Sequence, residues 1–168
     1  MLTQYVTATA GFLAATIANV ALAETHNTNR ETENKAVIEQ SFKAWASGTG
    51  SPYEILADDA TWTITGKSLA SKTYKGREEF LSAVIRPFNA RMSVGLKPTI
   101  RSIHAEGETV IILFDAKGTA SDGQPYENTY AWFLDIKDGQ VKKAVAFFDS
   151  VAFNDLWQRV QPVQSAMR

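Results

Sequence analysis

Apolar residues recur at two different periods along the chain, and the change of period divides it. Val37, Ile38, Phe42 and Trp45 follow helical spacing, with Glu39, Gln40 and Lys43 falling mostly opposite. The spacing predicts a helix from Asn34 to Ala46, ended by the breaker run Ser47 to Pro52. Tyr53 to Leu56 is read as a short second helix. Thr61 to Thr65 alternates β-branched and aromatic residues and stops at Gly66, which predicts a strand. A second amphipathic helix opens at Gly76, with Glu78 and Glu79 in its first turn. Phe80, Leu81, Val84, Ile85 and Phe88 form its apolar stripe, and Pro87 is expected to end or kink it.

After Pro98 the period becomes two. Ile100–Ala105, Thr109–Lys117, Tyr126–Ile136 and Val141–Ser150 read as strands, joined at Glu106-Gly107, Ser121-Asp122-Gly123 and Asp138-Gly139. An Asp-Gly pair between alternating runs is a strong hairpin signal. Asn154 to Val160 reads as a short terminal helix or extended tail, ended by Pro162. Helices placed before a curved antiparallel meander predict an α+β, two-layer architecture whose concave side can hold a small apolar ligand.

The first 23 residues change this picture. They carry no charged side chain, Gly11 to Val20 is apolar apart from Thr16 and Asn19, and Ala21-Leu22-Ala23 fits a small-x-small cleavage site. We read 1–23 as an export signal, 24–33 as a flexible polar lead-in containing His26, 34–162 as the domain and 163–168 as a tail. The expected location is secreted, in the periplasm, with no membrane span after cleavage.

Composition narrows the chemistry. The 168-residue chain has a formal net charge of −1, so no basic field exists to hold nucleic acid. It has no cysteine and only His26 and His104, which leaves thiol catalysis and multi-histidine metal sites without their residues. No metal or organic cofactor is expected.

Several segments occur together in an order that identifies a family. These are Asn34 to Glu39, then Phe42, Trp45 and Gly48, then Leu56 to Trp62, then Tyr74 to Phe80, then Tyr130, Asp138-Gly139 and Phe147 to Ser150. The ordered set resembles the SnoaL-like, ketosteroid-isomerase-related branch of the nuclear transport factor two-like superfamily. The resemblance implies a conical α+β barrel: a strongly curved antiparallel sheet packed against N-terminal helices, with a deep apolar pocket. It also implies a homodimer through the outer sheet face. Such proteins include isomerases, cyclases, dehydratases, hydrolases, carriers and scaffolds, so the fold does not name an activity.

The isomerase set itself is missing. By ungapped alignment its base falls at Ile64, its tyrosine at Ser41 or Phe42, and its protonated acid near Ala131 or Trp132. The best remaining base is Asp149, by similarity to SnoaL-like cyclases that place an acid on the last strand. It is read as sharing a strand face with Val145 and Phe147. His104, alternating with Ile100 and Ser102, is read as a second proton carrier. Trp62, Tyr126, Asn128, Tyr130, Trp132 and Phe147, with Phe42 and Trp45 from the helix, are expected to line the cavity. The expectation is therefore a small hydrophobic ligand, either turned over by proton transfer through Asp149 or carried unchanged, with a purely dimeric scaffold as the third reading.

Overall fold

The computed structural model describes residues 9–162. The start of the export segment and the tail at 163–168 lie outside the described residues. Elements follow in the order α1 (Thr9–Ser47), β1 (Leu56–Ile64), β2 (Thr73–Lys75), α2 (Arg77–Phe80), a π-helical turn (Leu81–Ile85), α3 (Arg86–Asn89), β3 (Met92–Glu106), β4 (Thr109–Ala120), β5 (Pro125–Lys137), β6 (Gln140–Phe148) and α4 (Ser150–Arg159). The six strands form one curved, open sheet in the order β2-β1-β6-β5-β4-β3. Its concave face is packed by α1 and by the α2–α3 segment, which gives the expected α+β architecture.

One pairing departs from the expected all-antiparallel sheet. β1 runs parallel to β6, with Trp62 beside Ala144 and Ile64 beside Ala146. Every other neighbouring pair is antiparallel. Asp138 and Gly139, with φ of 53° and 72°, form the tight turn between β5 and β6. Positive φ at both central residues matches the twist of a two-residue hairpin.

The helix boundaries differ more. α1 extends 39 residues, so residues 24–33 are helical where a flexible lead-in was expected. Their polar side chains pin the helix to the β3–β4 turn. Glu31 Oε1 accepts the Gly107 N–H at 2.8 Å and Asn27 Nδ2 at 2.8 Å, and Arg30 approaches Glu108 at 3.6 Å. Polar composition alone cannot distinguish a solvated coil from a helix whose contacts are hydrogen bonds. Farther along, Asn34, Ile38 and Phe42 are buried against the sheet. Gly48 closes α1: its N–H reaches Trp45 O at 3.0 Å and Thr49 N–H reaches Ala44 O at 2.9 Å. That pair of bonds needs a left-handed residue at position 48, and φ there is 75°. No second helix forms at Tyr53 to Leu56, which instead turns into β1.

Pro87 does not stop its helix. The chain widens into the π turn just before it, with Arg86 N–H bonding Leu81 O, and runs helically to Asn89. The wider turn relieves the proline of the partner and the space that an α-helix would demand. β3 begins at Met92, well before Pro98. It is an edge strand, where a missing donor is tolerated. β6 ends at Phe148, and Ser150 already belongs to α4. Among the described residues no helix is long and apolar enough to cross a membrane.

Candidate functional site

The concave sheet face and the helices enclose a cavity of about 410 Å³. β1 supplies Trp62 and Ile64, β5 supplies Tyr130 and Trp132, and β6 supplies Ala146 and Phe148. Phe80, Val84, Ile85 and Phe88 close it from the segment around the π turn, where widened spacing is common at functional sites. Trp45 and Tyr53 cap one side, and Phe153 of α4 reaches in from another. Val94, Gly95 and Lys97 of β3 stand at the mouth, where Val94 is half exposed.

The walls hold one another by ring contacts. Trp62 stacks on Phe80 at 4.5 Å and meets Trp132 edge-on at 5.0 Å. Tyr130 stacks on Phe114 at 4.9 Å. Each such pair adds about 0.5–1.5 kcal/mol beyond the area it buries. Polar atoms among the lining are few. Those that titrate are Tyr53, Tyr130 and Lys97; no Asp, Glu or His lines the cavity. Burial raises the hydroxyl of Tyr53 and raises that of Tyr130 well above the ordinary phenol range, so both stay protonated at neutral pH.

The expected site residues separate into three groups. Trp45, Trp62, Tyr130 and Trp132 line the cavity. Phe42, Tyr126 and Asn128 are buried behind its wall. Phe42 packs edge-on against Trp45, Phe114 and Trp132 at 5.5, 4.8 and 5.7 Å. Tyr126 Oη lies 3.2 Å from Tyr130 Oη, and Asn128 Nδ2 donates to Tyr126 Oη at 3.0 Å.

Phe147, Asp149 and His104 lie elsewhere, and the placement expected for them is corrected. Phe147 is 46% exposed on the convex face, against Phe133 at 5.9 Å. Its neighbour Phe148 is the one that turns inward. Asp149 is exposed and caps α4, its Oδ1 accepting the Val151 N–H at 2.8 Å. It borders a charged surface depression with Arg101, Asp115, Lys117 and Glu127. His104 is exposed on the edge strand, beside Ile111 in register. Two adjacent phenylalanines leave the phase of a strand ambiguous by one residue, and the phase chosen carried Phe147 and Asp149 to the wrong side. A bulge between Ile100 and Ser102 shifts the register before His104.

Tyr53, Phe148, Phe153 and Met92 were missed. The apolar stripe of Phe80, Val84 and Phe88 was visible as helical periodicity but not as a cavity wall. Among the described residues no group of three or more His, Asp or Glu is placed to hold a metal ion.

Residues 38–144 match the SnoaL-like domain family. The chain belongs to this family. Solved structures of similar fold include Bal32a from a soil-derived mobile gene cassette, 20% identical, covering 76% of this chain and 98% of that one, TM-score 0.62. A loop-truncation variant of IdmH is 26% identical over 71% of this chain and 94% of the other, TM-score 0.58. An LEH-like epoxide hydrolase from M. tuberculosis is 17% identical over 77% and 92%, TM-score 0.56. No curated protein sequence matches the chain. SnoaL-like domains serve cofactor-free isomerases, cyclases and hydrolases, and the shared fold leaves the activity of this member to be argued from its site.

Proposed function

We propose that this SnoaL-like protein binds a small, flat, hydrophobic molecule and carries it without proton transfer. The observation that supports this is the lining itself. A cavity of about 410 Å³, at the lower end of the usual range for small-molecule sites (about 300–1,000 Å³), is walled by indole and phenyl rings and contains no carboxylate or imidazole. Proton abstraction needs a base within hydrogen-bond reach of the substrate. The two groups named for that role, Asp149 and His104, are exposed outside the cavity. The charge-free segment ending at Ala21-Leu22-Ala23 supports export, and an N-terminus at Glu24 in protein recovered from the periplasm is the mass-spectrometric check.

Binding is tested with naphthalene. Trp45, Trp62 and Trp132 line the cavity, so occupancy should quench tryptophan fluorescence saturably with one site per chain. Ile85→Trp, which fills the cavity from the π turn, should abolish saturation while leaving the circular dichroism spectrum unchanged. Linear, non-saturating quenching in the wild type, or saturation that survives Ile85→Trp, overturns the reading.

A further inference from the structure

Resting on the binding reading above, we propose that residues 92–96 form the entry flap of the cavity and that Gly118, on the neighbouring strand β4, is the seat on which the flap closes. The flap is the start of β3. Met92, Val94, Gly95 and Leu96 all line the cavity, and Val94 is 51% exposed at its mouth. β3 is an edge strand with β4 as its one neighbour in the sheet. Its pairing there is broken twice. Met92 stands opposite Ala120, Val94 opposite Thr119 and Lys97 opposite Lys117, so five steps along β3 face three along β4 and two residues are left over. Extra residues bend a strand out of its ladder and recur beside active sites.

The bend carries the segment across β4, and Gly118 makes room for it. A side chain at position 118 would share the concave face with Phe114 and Ala116, both fully buried. A Cβ there would stand 2.7 Å from Val94 O, 2.8 Å from Met92 Cε and 3.3 Å from Gly95 C. Two of these three are backbone atoms, which cannot step aside as the end of a side chain can. Any residue other than glycine at 118 therefore lifts the segment. Gly118 does not itself line the cavity, so it is a positioning residue that acts through the flap. The segment is anchored at both ends. Before it, Arg91 is buried, with Nη1 donating to Pro87 O at 2.8 Å and the guanidinium 4.1 Å from the centre of the Trp157 ring. After it, pairing runs residue by residue from Lys97 to Ile100. Between the anchors the side-chain tie is Ser93, whose single hydroxyl proton is shared by Thr119 O and Ala120 O at 3.2 and 3.0 Å. Such a segment can swing about its ends while the rest of the sheet stays paired.

The test follows naphthalene exchange by stopped-flow tryptophan fluorescence in two variants. Gly118→Ala pushes the flap off its seat, so association and dissociation should both quicken by about tenfold, the weight of a modest overpacking strain, while Kd moves less. A merely loosened core would speed dissociation alone. Val94→Cys combined with Thr119→Cys places two cysteines, in a chain that has none, on directly opposed residues within bridging distance. Oxidation then staples the flap to β4, and both rates should fall and return on adding reductant. This arm decides the matter if Gly118→Ala folds poorly. Equal exchange rates in the oxidised and reduced forms overturn the flap. So does a folded Gly118→Ala protein that exchanges naphthalene at wild-type rates or gains in dissociation alone. In either case saturable binding in the wild type leaves the binding reading intact. Absence of saturable binding in the wild type overturns the two together.

Discussion

The two faces of the same three strands carry nearly equal apolar weight and have opposite fates. On the concave face, Ile112, Phe114, Tyr130, Trp132 and Ala146 are buried beneath the helices, and Phe148 packs on Phe153 of α4. On the convex face, Ile111, Leu113, Ala131, Phe133, Val145 and Phe147 lie in register with one another across β4, β5 and β6. Among the described residues no helix covers Phe133 and Phe147, which are 38% and 46% exposed. The concave face has hydroxyls at its centre, and the convex face has none. Its polar groups stand at the rim instead, with Arg101–Asp115 at 2.6 Å and Lys117–Glu127 at 3.0 Å at one end and Thr109–Asp135 at 2.8 Å at the other. A hydrophobic face that is curved and closed by helices becomes a cavity. A face that is left open and rimmed by charge suits a second flat surface, and supports the proposal that two copies pair there.

The largest expected effect separates the faces by stability. Trp132→Ala removes a side chain 4% exposed that contacts Phe42, Trp45, Tyr53, Trp62 and Phe114, and should cost about 3–5 kcal/mol in urea unfolding. A loss below about 1 kcal/mol would mean that the concave face packs loosely and that the ring contacts carry little.

Association comes next. If the convex face pairs two copies, Phe147→Glu should halve the mass seen by light scattering at micromolar concentration. It should shift the unfolding of the isolated chain little, as surface substitutions do, by about 0.5 kcal/mol. A wild-type protein that is already monomeric would remove the convex face as a dimer surface.

The smallest effect concerns the junction of the two faces at Asp149. Asp149→Ala should lower stability by about 1 kcal/mol through loss of the α4 cap, and Asp149→Asn should retain most of it. Naphthalene titration should be unchanged in both. Weaker binding in Asp149→Asn, with stability kept, would return Asp149 to the site.

Much of this was legible from local pattern. The strands β4, β5 and β6, the Asp138-Gly139 turn and the helix carrying Ile38, Phe42 and Trp45 follow from residue period and turn chemistry, which are local properties. Tyr130 and Trp132 were placed at the cavity because they alternate with Tyr126 and Asn128 on one face of a long strand, and Trp62 was set on the wall opposite. The ordered segments from Asn34 to Ser150 were enough to identify the family, since they record one fold over most of the chain.

Tertiary structure decided what local pattern leaves degenerate. Where both faces of a strand are apolar, alternation defines two sets of residues but not which set the helices cover, and Phe147 and Phe148 exchange roles on that choice. Asp149 sits one residue past β6, so its carboxylate answers to the start of α4 and not to the strand phase. The parallel pairing of β1 with β6 joins segments about eighty residues apart, and Pro98 is admitted to β3 because that strand lies at the sheet edge. Asn128 meets both the Asp149 backbone and Tyr126, a buried link between β5 and the start of α4 that exists once the chain has folded. Sequence alone determined the long strands β4 to β6, the helix through Phe42 and the family. Folding determined which side of the sheet holds the cavity and which atoms face into it, because burial is a property of the packed layers and not of any one segment.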